Sequence, residues 1–286
     1  MPMALVTGTS TGIGLATAVT LARAGHKVYA TMRNPAKGAG EITSIAEAER
    51  LPLTVLPLDV DSDQSVGDVF AKTGAVDVLV NNAGIAIMSA VEDMPLEDFR
   101  RIMETNFFGA LRCIQAVLPG MRERRSGCII NVSSVAGRIA GGAQGAYAAS
   151  KWALEALSES LAYEVRAFGI RVAIVEPGVI ATPIFEKTGE EKPSFYPHKR
   201  RLEAYFRGSL KNPVSPYVVA ETIRAIVESE SWQLRYPVGP DAVPFLAWRA
   251  GMSDEAWIDF GAIQDDEAWC ARIAQDFGLD VRPYLR

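Results

Sequence analysis

The sequence is short of histidine and cysteine and has no long apolar run, and each shortage removes a class of function. Its 2 histidines, His26 and His198, form no H-E-x-x-H or similar pattern, so no metal centre is expected. The 3 cysteines, Cys113, Cys128 and Cys270, are an odd number with no C-x-x-C pair. That argues against a disulfide framework or a thiolate zinc site and for a reducing, cytoplasmic setting. No apolar stretch approaches the roughly 18 residues that cross a bilayer. Residues 1–7 lack the charged n-region of a secretory leader, so the chain is expected to open directly on its first strand. Excess positive charge is missing too: 29 Lys+Arg against 34 Asp+Glu leave a formal charge of −5. That sign disfavours nucleic acid or an anionic lipid surface as a partner. The one dense basic cluster, His198-Lys199-Arg200-Arg201, is too short to reverse it, and with Lys187 and Lys192 it reads as solvated surface.

What is present is an alternation of short β-branched runs with longer segments of helical period, the pattern of βαβ units around a parallel sheet buried on both faces. Strands are expected at 4–7, 27–31, 53–58, 76–81, 128–133, 171–175 and 234–238. Helices are expected at 13–24, 41–50, 62–72 (capped by Asp61 or Ser62), 95–124 with a break near Asn106, and 146–168. With no repeat, low-complexity tract or Gly/Ser linker, residues 1–286 read as one α/β domain of the Rossmann-type doubly wound class, a seven-stranded parallel sheet flanked by helices. Two segments stand outside the alternation. Residues 183–213 carry charge and aromatics and read as a substrate-loop insert, and residues 239–286 form a C-terminal extension that either shapes a ligand site or covers a sheet edge.

After the first strand comes Gly8-Thr9-Ser10-Thr11-Gly12-Ile13-Gly14, opening a helix. Glycines there allow positive φ and close approach of backbone N–H groups to a pyrophosphate, while the helix N-terminus adds partial positive charge. Gly8, Ser10, Thr11, Gly12, Ile13 and Gly14 are therefore candidate cofactor residues. The same stretch reads as G-x-S-x-G, the elbow of a serine hydrolase with Ser10 as nucleophile. The context is wrong for it: too little chain precedes the turn to build an oxyanion hole, and no histidine is well placed downstream.

The spacing G-x-x-x-G-x-G resembles the cofactor loop of the short-chain dehydrogenases/reductases, and the resemblance runs through about residues 3–240. It includes Asn81-Asn82-Ala83-Gly84, Asn106, Ser134, Tyr147-x-x-x-Lys151, and Pro177-Gly178 followed by Thr182. The flavour is nearest to the hydroxysteroid and retinol branch. By this resemblance Asn82, Ala83 and Gly84 lie against the adenosine half of a nicotinamide cofactor. Asp59, followed by Val60, matches the adenine-contacting acid, and Pro177, Gly178, Val179, Ile180 and Thr182 orient the nicotinamide. Asn106 is implied to hold a water beside the lysine in a proton relay.

The residues themselves support such chemistry. Tyr147 and Lys151, four apart on a helix, share a face, and a nearby ammonium stabilises phenolate, giving a reversible proton donor and acceptor. Ser134, at the carboxyl end of a buried strand, can hydrogen-bond a substrate oxygen as charge develops. Ser133 competes for that role; strand alternation and the family spacing favour Ser134. At the end of the second strand, where an acid would bind a ribose 2′-hydroxyl, the sequence has Met32 and then Arg33. This predicts preference for NADP(H), with NAD(H) possible.

The predicted function is an NAD(P)-dependent oxidoreductase interconverting a lipophilic alcohol and its ketone or aldehyde. The non-catalytic alternative is a regulator that senses NADP. Met88, Val91, Ile139, Phe185, Phe195 and Tyr196 are expected to border the substrate. The apolar surplus on 146–168, among it Ala148, Trp152, Leu157 and Leu161, together with the helix at 105–123 predicts a homodimer, with a tetramer possible.

Overall fold

A computed structural model describes residues 2–185 and 194–285. Its seven strands, β1 Met3–Thr7, β2 Lys27–Met32, β3 Leu53–Pro57, β4 Val78–Asn81, β5 Gly127–Val132, β6 Ile170–Pro177 and β7 Arg235–Val238, form one parallel sheet in the order 3-2-1-4-5-6-7. The central strands are apolar at almost every position because both faces are covered. Val6 pairs with Ala30 on one side and Val80 on the other, and all three are buried. Strand order reverses between β1 and β4, which opens a crevice beyond their carboxyl ends, where doubly wound sheets bind ligands.

The helices in the main sheet layers are α1 Gly12–Arg23, α2 Pro35–Gly38, α3 Gly40–Glu49, α4 Asp63–Thr73, α5 Leu96–Met103, α6 Gly109–Arg124 and α7 Gly145–Val165. They continue with α8 His198–Ser209 and α9 Pro216–Glu228. One core layer joins α1, α3 and α9 to the sheet through Leu15, Val19, Ile42, Val219 and Ile223. The other joins α4, α6 and α7 through Val66, Ile114, Met121 and Leu161. Of the two caps considered for α4, Ser62 is the one used, its hydroxyl accepting from the Ser65 N–H at 3.2 Å.

Two differences from the sequence reading matter for function. The break near Asn106 is a π-helical turn over Glu104–Phe108 that joins α5 to α6. The C-terminal extension holds three helices, α10 Ala242–Ala250, α11 Asp254–Gly261 and α12 Asp266–Phe277. They share with α8 a small core of their own, in which Ala204, Trp269, Cys270, Ile273 and Val281 are buried. Arg201 locks this lobe: its guanidinium, almost fully buried, donates to Asp266 and to the carbonyls of Ile263 and Gln264.

Candidate active site

The glycine turn after β1 is built by exclusion. Gly8 and Gly12 take φ of +71° and +60°, conformations costly for other residues. A Cβ on Gly8 would lie 2.7 Å from the Ala83 Cα, and one on Gly14 would lie 2.2 Å from the Gly8 carbonyl oxygen and 2.4 Å from the Asn82 Nδ2. The side chain of Asn82 explains the second crowding. Its amide donates to the carbonyls of Thr7 and Gly8 at 2.9 and 3.0 Å, while the Thr7 hydroxyl accepts from the N–H groups of Asn82 and Ala83, each at 3.0 Å. The loops after β1 and β4 are thus tied into one cradle. Thr11, the N-cap of α1, makes no side-chain cap bond and no acid stands in the first turn, so no side-chain cap or acid competes with an anion at that helix N-terminus.

The cradle is one wall of a cavity of about 200 Å³ lined by Gly8, Ser10, Thr11, Gly12, Ile13, Arg33, Asp59, Val60, Asn82, Ala83, Gly84 and Thr182. Arg33 is exposed at its rim. Gly14 and Pro177 are not on this wall: Gly14 packs beneath the turn, and Pro177 pairs with Val238 in the sheet. Ile180 differs from the expectation more clearly, because its side chain is 3% exposed and belongs to the sheet core. The cradle, its uncapped helix and the nearby arginine fit a dinucleotide, whose phosphates need N–H donors and positive charge. Asp61, considered in the sequence only as a cap, also lines this cavity. Its Oδ2 accepts from the Thr105 hydroxyl at 3.0 Å, its Oδ1 has no partner among the described residues, and burial pushes its carboxyl up.

Tyr147 and Lys151 project from the first half of α7 toward the end of β5. Both are buried, and the Lys151 Nζ stands 5.7 Å from the Tyr147 ring centre while donating to the Val132 carbonyl at 2.8 Å. The expectation of a lowered phenol pKa is corrected: burial pushes Tyr147 up to about 12, with a hydrogen bond from Ser134 pulling the other way. Burial pushes the Lys151 ammonium down to about 8, opposed by the charge of Glu155 one turn further along α7. Burial costs the charged form of each group.

Of the two serines, Ser134 faces the large cavity described below, whereas Ser133 is buried on the side of Glu155. Glu155 sits in an ionic group whose carboxylates are buried and whose arginines reach solvent, with Arg235 reaching Glu155 at 3.1 Å and Glu176 at 3.6 Å, and Arg138 reaching Glu176 at 3.2 Å. Asn106 is buried, and its side chain is fully engaged: Oδ1 accepts from the Ile85 N–H at 2.8 Å, and Nδ2 donates to the Ile85 carbonyl and the Ser150 hydroxyl. It brackets Gly84 together with Lys151, their Oδ1 and Nζ lying 3.4 and 3.8 Å from where a Gly84 Cβ would be.

Ser134 and Tyr147 open into a second cavity of about 630 Å³. Gly178 and Val179 form one side. Most of the rest comes from α8, with Tyr205, and from the C-terminal lobe, with Phe245, Trp248, Trp257 and Phe260. Of the residues expected around the substrate, Ile139 and Tyr196 line this cavity, but Val91 is 76% and Phe195 99% exposed. Met88 is buried away from it. The Phe185 side chain, Lys187 and Lys192 lie outside what the structure describes. The lobe's lining residues were the main omission. Their aromatic spacing was visible in the sequence, but nothing there separates a packed ring from one that faces a cavity.

The hydrolase alternative finds no support in this geometry. His26 stands just before β2, at the end of the sheet opposite Ser10, and lies 3.5 Å from Glu228. His198 faces the other cavity, with its Nε2 on the Gly261 carbonyl. Burial pushes the thiols of Cys113 and Cys128 up to about 12 and 11, so neither offers a thiolate nucleophile.

Residues 2–193 match the family described as short chain dehydrogenase. The chain is 38% identical to retinol dehydrogenase 8 of Bos taurus over 262 residues, covering 86% of this chain and 84% of that protein. A solved short-chain dehydrogenase from Streptomyces avermitilis superposes with a TM-score of 0.78 at 36% identity, over 92% of this chain and 98% of that one. A metagenomic short-chain oxidoreductase solved in complex with NADP aligns at a TM-score of 0.67 and 25% identity, over 83% of this chain and 96% of that one.

Proposed function

The chain belongs to the short-chain dehydrogenase family, and from that premise we propose that it interconverts a lipophilic ketone or aldehyde and its alcohol, using NADP(H). The observation that carries this reading is the meeting of two hydroxyls, those of Ser134 and Tyr147, at one end of an aromatic-walled cavity, with the Lys151 ammonium buried behind them. NADP(H) is supported by Arg33 at the rim of the smaller cavity, by the absence of an acid at Met32, and by the NADP-bound relative. NAD(H) remains compatible with the same cradle.

When bound, the dihydronicotinamide supplies a hydride to the carbonyl carbon. The protein supplies the rest. Ser134 donates a hydrogen bond to the carbonyl oxygen as negative charge grows on it. Tyr147 hands its proton to that oxygen, which completes the alcohol. A buried phenol near pKa 12 keeps its proton until such a strong base forms beside it. Lys151 then stabilises the tyrosinate with its positive charge. Asn106 holds the Ile85 backbone against the face that Lys151 occupies, and so positions this machinery. In the oxidative direction each proton step runs backward.

Replacing Tyr147 with Phe removes only the hydroxyl that exchanges the proton. Turnover of any carbonyl accepted by the wild type is expected to fall at least about a thousandfold, while the NADPH dissociation constant, read by fluorescence titration, stays within about threefold. Retained turnover in Tyr147→Phe would remove the proposed role. The same reading includes a homodimer built on α7, whose Trp152 and Tyr163 stand 50% and 90% exposed.

A further inference from the structure

Asp241 follows β7 and begins the C-terminal lobe, and no step above uses it. Its Oδ2 accepts the Val179 N–H at 2.8 Å. Its Oδ1 is buried and has no partner among the described residues. Space has been kept for this oxygen on two sides: a Cβ on Gly178 would stand 2.2 Å from it, and one on Gly239, at φ +107°, would stand 3.0 Å from it. Asp241 is among the residues that line the 630 Å³ cavity, as are Ser134 and Tyr147, and its Oδ1 sits just behind that wall against Gly178. Helix α10, which starts at the next residue, packs on the Val135–Gly137 turn directly after Ser134. An acceptor oxygen removed from water and left unpaired is costly, and the cost is recovered when a ligand brings a donor to it.

We propose that Asp241 is a substrate-recognition residue, and that the preferred substrate carries a hydrogen-bond donor, a hydroxyl or an ammonium, close to the carbonyl that reacts. The donor is assigned to substrate because Asp241 lines the large cavity and not the smaller one that holds the glycine cradle. Val135, Ala136 and Ile139 on that wall offer a plain ketone only contact, and Gln144, the polar neighbour before Tyr147, is neutral, so Asp241 is the charged acceptor there. A site with a buried acceptor discriminates sharply against a ligand that leaves it unpaired.

The inference rests on the oxidoreductase reading, and the test separates the two. Valerophenone, α-hydroxyvalerophenone and α-aminovalerophenone are compared as substrates of the full chain with NADPH, and as ligands by calorimetry with saturating NADP+. The hydroxy or amino ketone is expected to be favoured at least about tenfold over valerophenone in kcat/KM and in Kd. In Asp241→Asn the amide oxygen can still accept from Val179, but a donor replaces Oδ1, so the preference is expected to collapse to within about threefold. NADPH affinity is expected to change less than about twofold. Equal handling of all three ketones by the wild type overturns the proposal, and this comparison decides the matter alone if the variant does not fold. NADPH affinity that falls in step with turnover in Asp241→Asn also overturns it, by assigning Oδ1 to the cofactor's carboxamide. No binding or turnover of any of the three counts against the oxidoreductase reading itself and takes this inference with it.

Discussion

At the residue scale, the protons in this site are governed by burial. Lys151 is pushed down to about 8, while the negative charge of Glu155 resists the fall. The proposed mechanism of reduction uses the ammonium, so the rate is expected to hold below about pH 8 and to decline as pH rises through that value. Glu155→Gln removes the opposing charge and is expected to move the decline to lower pH. Glu155→Asp should keep part of the wild-type profile, because Arg235, Arg138 and Glu176 still surround the position. A profile of kcat/KM against pH for the three proteins checks this, and an unmoved inflection in Glu155→Gln refutes the coupling. Arg33 has a simpler role to test. It is exposed at the cavity rim, and the proposed NADP(H) preference gives it the 2′-phosphate, so Arg33→Ala is expected to raise the KM for NADPH about tenfold or more and to leave that for NADH within about twofold. Equal effects in paired steady-state assays would reject it.

At the element scale, the site depends on pieces of backbone held in unusual shapes. The turn between β1 and α1 holds its shape only because position 14 lacks a side chain. Gly14→Ala would press a methyl group against the Gly8 carbonyl at 2.2 Å. The expected cost is about 1–3 kcal/mol of stability, read by urea unfolding, with NADPH affinity lowered at least about tenfold by fluorescence titration. Wild-type affinity in this variant would show that the turn does not bind the phosphates. The π-turn at Glu104–Phe108 is a second such piece. The sequence showed a poor helix former at Asn106 and hence a break. It did not show that the extra residue in the turn lets Asn106 reach the Ile85 backbone, since that partner lies 21 residues away in the chain.

At the scale of the whole molecule, two surfaces remain to be tested. Trp152 and Tyr163 lie eleven residues apart on α7, close to three full turns, and so share one exposed face. Phe108, 42% exposed, sits on the turn that packs against that helix. The wild type is expected to run at twice its 30.9 kDa chain mass in light scattering, and Trp152→Glu at the chain mass. A wild type at the single-chain mass would reject the dimer. The C-terminal lobe is the other surface: it adds Phe245, Trp248, Trp257 and Phe260 as an aromatic wall beside the end of the sheet that carries Ser134.

The sequence by itself determined the sheet, the glycine turn and the shared helical face of Tyr147 and Lys151, while its resemblance to the short-chain dehydrogenases joined Asn106 and Ser134 to them. Those signals are local: a strand's burial, a helical spacing of four and a glycine at a tight turn each act within a few residues. Strand alternation even pointed to Ser134 over Ser133, and the structure puts only Ser134 at the cavity. Tertiary structure alone decided the rest. The raised phenol, the lowered ammonium, the orphaned oxygen of Asp241 and the aromatic wall all depend on what surrounds a group in space. Desolvation and pairing are set by neighbours that lie far apart along the chain, and no spacing in the sequence encodes them.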